Sequence, residues 1–458
     1  MELQKQKIWY WLFGALLILV VPNILFWLLG LKISLVRGVF VVEYLLIACL
    51  YPYINRKLFI TTWVLFAIYD LFFSSTSLFF LDFLEIAHAL TKVPAMPLVE
   101  ILQWAGVLVL FIAVVVGLLM LLMRYDAKHK VMHVRFLWPL IVLGLVLNVL
   151  NEKGHSKKGI VSIPIWPFIK AVQNAVVKRA AKQDIELLGS AAKKIFIDAP
   201  GSGKTTKEAL ILVESWGLLT NEHLLREVMQ PLNDLSKENK YTLKVGTNRY
   251  KYLTQAGEFR ELTGYVFHYY QVKDSWVKEN SLLVKKQQQG YHVIGVHGNT
   301  SKFYRRNMIW PVLGVQEMYF LEEFTKLGMP LCGHETFRGV CDTAINTWLL
   351  NSMNRQPEKK EFYYWVTLTT HLPLVEVYDD GYRQFADKFK GQGITDKVMQ
   401  LAYQQKLLFA DLAGKLSKPG TPKAHILLVG DHAPPVVDPA ERRLYNEQLI
   451  PYVELIPD

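Results

Sequence analysis

The chain has 458 residues, room for two or three domains, and 52% of them are hydrophobic, more than a soluble protein usually carries. Its formal net charge of +11 suits acidic partners, and for so apolar a chain anionic lipid headgroups fit better than nucleic acid. With no RNA-binding or helix-turn-helix signature, nucleic acid is excluded as a partner.

The apolar excess lies before about residue 151. Five stretches there read as membrane spans: Ile8–Leu29, Val39–Ile54, Phe59–Phe80, Leu98–Met123 and Phe136–Leu150. The first is long and lacks a small-residue cleavage site, so it reads as a span and not as a signal peptide. With the N-terminus inside, the cytoplasmic segments hold Lys5, Lys7, Arg56, Lys57, Arg124, Lys128, Lys130 and Arg135. The outer loops hold Lys32, Arg37 and Lys92. This count of eight against three orients the N-terminus inward, and five spans then place everything after Leu150 outside the cytoplasm. The basic cluster Lys153, Lys157 and Lys158 runs slightly against that orientation.

Ser162–Lys182 spaces Phe168, Ile169, Val172, Val176 and Val177 at near-helical intervals among Lys170, Lys178, Arg179 and Lys182. A basic amphipathic helix of this kind lies on a membrane surface or packs on the following domain. Asp198–Thr206, DAPGSGKTT, imitates a P-loop. Asp198, however, occupies the first glycine position and sets a negative charge where phosphate should sit, so a flexible Gly/Ser loop is the better reading. Ile195–Ile197 could be a strand before it. Onward, strand-like runs (Leu210–Val213, Gly264–His268, His292–Val296, Phe362–Leu368, Ile426–Val429) alternate with helical ones (Asn221–Leu235, Val315–Leu327, Asp396–Ala413). That alternation predicts an α/β domain with a mostly parallel sheet. The expected organisation is a transmembrane region over 1–151, a juxtamembrane helix and linker over 152–206, and a catalytic domain over 207–458. Cys332 and Cys341 are spaced for a disulfide in an oxidising compartment, or remain two buried thiols.

Two stretches share one grammar. In Ala209–Gly217, ALILVESWG, an apolar run ends on Glu214; in His425–Pro435, HILLVGDHAPP, another ends on Asp431 and His432. Parallel sheets place their chemistry at the carboxyl ends of strands. Two carboxylates and an imidazole there suit one divalent ion, Zn²⁺ or Mn²⁺ before Mg²⁺, and a catalytic site leaves room for a nucleophile. Thr254, in YLTQAGEFREL, is the candidate, because metal coordination turns a weak hydroxyl into an alkoxide. Ser215 is a competitor, but alternation along an extended chain should turn it away from the side Glu214 faces. Thr263 is another, without matching context. His371 follows the strand-like run before it, His297 follows YHVIGV, and Tyr304, Arg305 and Arg306 come next. Arg suits bidentate phosphate recognition.

In the order LVESWG, LTQAGEFREL, HGNTSKFYRRN, TLTTHLPL, LVGDHAPP, the chain resembles the lipoteichoic acid synthase and phosphoethanolamine transferase group of the alkaline phosphatase/sulfatase superfamily. The resemblance implies a sulfatase-like extracytoplasmic domain behind about five spans in a bacterial inner (cytoplasmic) membrane. It implies a metal site of Glu214, Thr254, Asp431 and His432, with Thr254 as nucleophile. His371, Arg306, Tyr304 and His297 would hold the donor headgroup. The formylglycine motif of sulfatases proper is absent around Thr254, which disfavours sulfate-ester hydrolysis. The expected reaction moves phosphoethanolamine or phosphoglycerol from a phospholipid donor through a phospho-threonine to an envelope glycan or glycolipid. A phosphodiesterase or phosphatase on the same site is the alternative; a nonenzymatic envelope scaffold is the outsider.

Overall fold

The structure, a computed structural model, describes residues 2–30, 37–76, 98–132, 134–153, 161–163, 185–199, 205–238, 240–251, 254–267, 269–273, 275–334, 337–436 and 438–458. Most of the amphipathic stretch at 162–182 and the glycines of the P-loop look-alike lie outside them. The chain divides into two compact units, Met1–Ala181 and Lys182–Val436 with Ala440–Asp458.

The first unit is helical: α1 Glu2–Gly30, α2 Val42–Leu50, α3 Arg56–Thr76, α4 Leu98–His129 and α5 Val134–Lys153. Among the described residues three helices are long and apolar enough to cross a bilayer, and Leu137–Asn148 within α5 is a shorter apolar one. The expected second span differs. Its helix, α2, has nine residues, roughly 13 Å, too short to cross alone. Phe40–Val41 is drawn off into a strand, β1, and Pro52 stands in the turn that follows. β1 pairs in parallel with β2, Val161–Ser162. Inside this unit Arg37 forms a bidentate pair with Asp70, and Asn23, Tyr44 and Ser74 complete its hydrogen bonds. Buried charges demand such full pairing.

The second unit is an α/β domain. β3 (Glu186–Leu187) pairs with β6 (Tyr265–Val266) away from the main sheet. The main sheet takes β4 (Lys207–Val213), β5 (Tyr241–Arg249), β7 (His292–His297), β8 (Glu317–Tyr319), β11 (Glu361–Val366), β12 (His425–Gly430) and β13 (Leu449–Pro457). β9 (Leu331–Cys332) and β10 (Gly339–Val340) form a separate hairpin. Sheet order is β5-β13-β12-β4-β11-β7-β8. β12, β4, β11, β7 and β8 are parallel; β13 runs antiparallel to β12, and the edge strand β5 runs antiparallel to β13 and so in the direction of the other five.

Both faces of the central strands are apolar, so both must be covered. Ala209, Ile211, Val213, Tyr363, Trp365, Ile426 and Leu428 face one core. There they meet α6 (Glu222–Lys237), α9 (Asp342–Arg355) and α10 (Asp396–Leu416). Leu210, Leu212, Phe362, Tyr364, Val366, Leu427 and Val429 face the other, covered by α7 (Thr254–Thr263) and α8 (Arg306–Leu313). Ile195 and Phe196, in the stretch predicted as a strand, are helical and pack into this second core. Val315–Leu327, predicted as one helix, divides into β8 and a short helix Leu321–Lys326, because its first residues pair with β7.

Candidate metal centre

The centre forms where β4 and β12 end side by side, in register from His425↔Glu208 to Gly430↔Val213. Glu214 follows β4 and Asp431 follows β12 at the same level, so residues distant in sequence meet. Gly430 is required here: a Cβ would collide with the Trp216 carbonyl. Gly257 lets α7 approach, since a Cβ there would stand 2.9 Å from the Asp431 carbonyl oxygen.

One ligand atom each from Glu214, Asp431 and His432 lies within 4.8 Å of the others, and all three residues are buried. His432 Nε2 is 3.4 Å from Glu214 Oε1 and 3.2 Å from Asp431 Oδ2. Thr254, the first residue of α7, donates its hydroxyl to Glu214 Oε2 at 3.1 Å and lies 3.2 Å from His432 Nε2. The four residues expected as a metal site therefore share one space. His432 Nδ1 faces the Ala433 carbonyl at 2.7 Å and must carry a hydrogen, so deprotonation frees the Nε2 lone pair.

The electrostatics fit a cation. Burial, then the charge of Glu214, pushes the Asp431 carboxyl up to about 8. For His432, burial opposes charging, but Asp431 and Glu214 outweigh it and raise the imidazole to about 9. Burial also works against ionising Glu214, yet His371, His432 and Thr254 hold it below the usual carboxylate range. Among the described residues Asp431 Oδ2 finds no hydrogen-bond partner, although it faces His432 at ion-pair distance. Two carboxylates and an imidazole crowded this way, with one buried oxygen unsatisfied, are what a divalent ion would relieve. The donor set of nitrogen and oxygen suits Zn²⁺ or Mn²⁺.

Ser215 departs from expectation. Its φ is +56°, so the chain leaves the extended conformation at once, and the hydroxyl turns back to Glu214 Oε1 at 3.2 Å. Its backbone N–H donates to Asp431 Oδ1 at 2.8 Å, linking the two strand ends. Thr263 is elsewhere, bonded to the Phe259 carbonyl at the far end of α7.

His371, in the loop after β11, packs against Phe337 with ring centroids 3.8 Å apart and the planes tilted by 37°. His297, at the end of β7, lies flat against Phe303 at 6.0 Å. Tyr304 and Arg305 both adopt left-handed backbone (φ 52° and 56°), a local strain of about 1–3 kcal/mol each. That kink starts α8 and turns Arg306 inward, to 1% exposure. Its Nε and Nη2 edge is occupied by Glu258, so bidentate recognition of a phosphate through that edge is closed to it.

Sequence reasoning missed the groups that hold the centre. Thr367 Oγ1 accepts the Glu214 N–H, and the Thr370 hydroxyl donates to the Glu214 carbonyl at 2.6 Å. Buried Arg260 grips the carbonyls of Asp431 and Gly430 at 2.9 and 2.8 Å. Asp342 caps the loop carrying His371 through the N–H groups of Leu368 and Thr369. Thr367 and Thr370 lie within the TLTTHLPL stretch already singled out; Arg260 and Asp342 carry no local signal.

Comparison with known proteins places the domain. No curated protein matches the sequence. Solved structures align over part of the chain. A lipoteichoic acid synthase from Listeria monocytogenes is 13% identical with a TM-score of 0.37, covering 55% of this chain and 65% of its own. This chain thus spans under two thirds of that one. A phosphoglycerol transferase from Streptococcus pyogenes is 15% identical with a TM-score of 0.36, covering 55% and 68%. A membrane lipooligosaccharide phosphoethanolamine transferase from Neisseria meningitidis is 14% identical with a TM-score of 0.44, covering 80% and 69%. The family model described as Sulfatase matches residues 210–450, which begins in the strand leading to Glu214 and runs past His432. That match takes in more than half of the chain, and on it the chain belongs to the sulfatase family.

Proposed function

We propose that this protein is a membrane-bound, metal-dependent transferase that moves phosphoethanolamine or phosphoglycerol from a phospholipid to a cell-envelope glycan or glycolipid. The observation that carries the reading is the Thr254 hydroxyl, buried between Glu214 and His432 at the start of a helix. A sulfatase-family site with threonine at this place has an alcohol nucleophile and no formylglycine, which suits phosphoryl transfer better than sulfate hydrolysis.

Glu214, Asp431 and His432, with Thr254, would hold one divalent ion, which when bound lowers the hydroxyl pKa and offsets phosphoryl charge. Thr254 Oγ attacks the phosphorus of the phospholipid. A bond forms from Oγ to phosphorus, the bond to the diacylglycerol oxygen breaks, and diacylglycerol leaves as the alcohol, with the proton given up by Thr254 balancing the one it takes up. The helix start at Thr254 favours the negative charge that develops there. An acceptor hydroxyl then attacks the phospho-threonine and restores the Thr254 hydroxyl. His371, His297, Tyr304 and Arg306 would hold the headgroup.

The membrane unit supplies access to a lipid donor. In the proposed topology α1 crosses outward and the catalytic domain lies outside the cytoplasm of a bacterial cell, at the inner membrane. The excess of Lys and Arg in the inner loops supports the inward N-terminus, and the parallel pairing of β1 with β2 calls for an even number of crossings between them, so on this topology the short α2 segment with its flanking turn completes one of four.

The test is mass spectrometry of Thr254 after incubating the metal-loaded protein with phosphatidylglycerol or phosphatidylethanolamine. An adduct of one headgroup phosphate on Thr254 is expected, and its mass names the donor. Free headgroup phosphate released without transfer to any glycan would make the protein a hydrolase instead.

A further inference from the structure

Glu258 is a buried carboxylate, 3% exposed, that takes no place among the metal ligands. Arg306 donates to its Oε1 through Nε at 3.0 Å and Nη2 at 2.7 Å. Its Oε2 receives the Trp310 indole N–H at 2.9 Å and the Tyr364 hydroxyl at 3.0 Å. Three elements, α7, α8 and β11, thus converge on one carboxylate, and α7 is the helix that begins with Thr254.

What remains of the guanidinium is informative. Among the described residues Arg306 Nη1 is buried without a hydrogen-bond partner, and so is His297 Nε2. Both residues flank the Phe303 ring, with Arg306 Cζ 5.5 Å and the His297 ring 6.0 Å from its centroid. His297 Nδ1 faces the Val366 carbonyl at 2.9 Å and so carries a hydrogen. Burial and then the Arg306 charge keep the ring neutral, which leaves a lone pair on Nε2. A donor from Arg306 and an acceptor from His297 are both held ready and unused, an arrangement of high cost unless a ligand completes it.

We propose that Glu258 is a positioning residue acting through Arg306: it presents the Nη1 edge alone to the transferring phosphoryl group and cancels the guanidinium charge, so that the site favours a singly charged phosphodiester over a doubly charged phosphomonoester. The proposal rests on the phosphoryl-transfer reading of the site. A lone Arg beside a divalent ion would draw the dianion more strongly. Paired with Glu258 it supplies direction and a hydrogen bond without adding net charge.

The experiment is a double-mutant cycle in the full-length, metal-loaded protein. Glu258→Gln, Arg306→Ala and the double variant are compared by two readouts. The first is the rate of adduct formation on Thr254 with phospholipid. The second is equilibrium binding of dimethyl phosphate and methyl phosphate, followed by phosphorus NMR in a Thr254→Ala background, which needs no turnover. Glu258→Gln is expected to slow adduct formation by about a hundredfold. It should also shift the binding ratio toward the monoester by about tenfold. The double variant should be no worse than Arg306→Ala, because Glu258 acts only through that residue. Additive losses in the double variant, or an unchanged binding ratio in Glu258→Gln, would overturn the proposal. If Glu258→Gln does not fold, Glu258→Asp carries the cycle. It keeps the charge and withdraws the carboxylate by one methylene, so it should slow the reaction without moving the binding ratio. A shifted ratio, or losses that add to those of Arg306→Ala, would overturn the proposal there too. Non-additive binding without any Thr254 adduct would sink the transfer reading and leave the role of Glu258 standing.

Discussion

Thr254 is 2% exposed, and its hydroxyl has Glu214 and His432 within 3.2 Å. Thr254→Ala should abolish transfer, a loss of several orders of magnitude, because the groups at such a centre act as a unit. The fold should survive, since one lost hydroxyl bond costs about 1 kcal/mol. Adduct mass and a thermal melt together check this. Turnover near wild type would move the role to Ser215, whose hydroxyl the left-handed turn brings to Glu214. A second expectation concerns protons. Without a cation, burial and the Glu214 charge raise the Asp431 carboxyl and the neighbouring carboxylates raise the His432 imidazole, so the ligand cluster retains protons at neutral pH. Metal must displace those protons, and affinity should therefore rise with pH through neutrality. Zn²⁺ titrations in buffers of different ionisation enthalpy should show proton release at pH 7. Affinity flat between pH 6 and 9 would contradict it.

At the scale of elements, α7 and β12 are fastened by Arg260, which also pairs with Glu261 at 2.7 Å. Glu261 in turn accepts the Ala192 N–H. Arg260 thus ties the helix that begins with Thr254, the proposed nucleophile, to the strand end that carries the candidate ligands Asp431 and His432. The β9–β10 hairpin is a second clamp. The Cys332–Cys341 disulfide closes it, the Val340 N–H donates to the Gly298 carbonyl, and its connection carries Phe337 onto His371. Reduction, or Cys332→Ser with Cys341→Ser, should raise KM for the lipid donor several-fold and leave metal stoichiometry unchanged; equal loss of metal would show that the hairpin supports the whole centre. The sequence made β4, β7, β11 and β12 legible because strands buried on both faces read as unbroken apolar runs. It hid β5, whose KVGTNR end alternates among polar residues at an edge, and β13, whose two prolines argue against a strand. The candidate ligands Glu214, Asp431 and His432 were visible for the same reason as their strands, because they stand at the ends of apolar runs. Glu258, Arg260 and Asp342 were not, because a buried charge looks like a surface charge until its partner is known.

Over the whole molecule, two kinds of buried charge have been built. In the membrane unit Arg37 and Asp70 satisfy each other, with side chains 4% and 0% exposed. Asp70→Ala should destabilise that unit by about 3–5 kcal/mol, since it strands a buried guanidinium, whereas Arg37→Met with Asp70→Leu should recover most of the loss. Unfolding in mixed detergent micelles would measure both; a harmless Asp70→Ala would mean that water reaches Arg37. In the second unit the cluster of Glu214, Asp431 and His432 is instead left for a ligand to satisfy, and its members are separated along the chain. Thr254 and His432 are 178 residues apart, and β12 must slot between β4 and β13 before Asp431 and His432 reach Glu214. The three candidate ligands therefore cannot meet until the chain has been made through β12 and that strand has entered the sheet. On the proposed topology that moment falls after export, so the metal proposed for this centre would be drawn from the ions outside the cytoplasm, beyond the reach of cytoplasmic metal buffering.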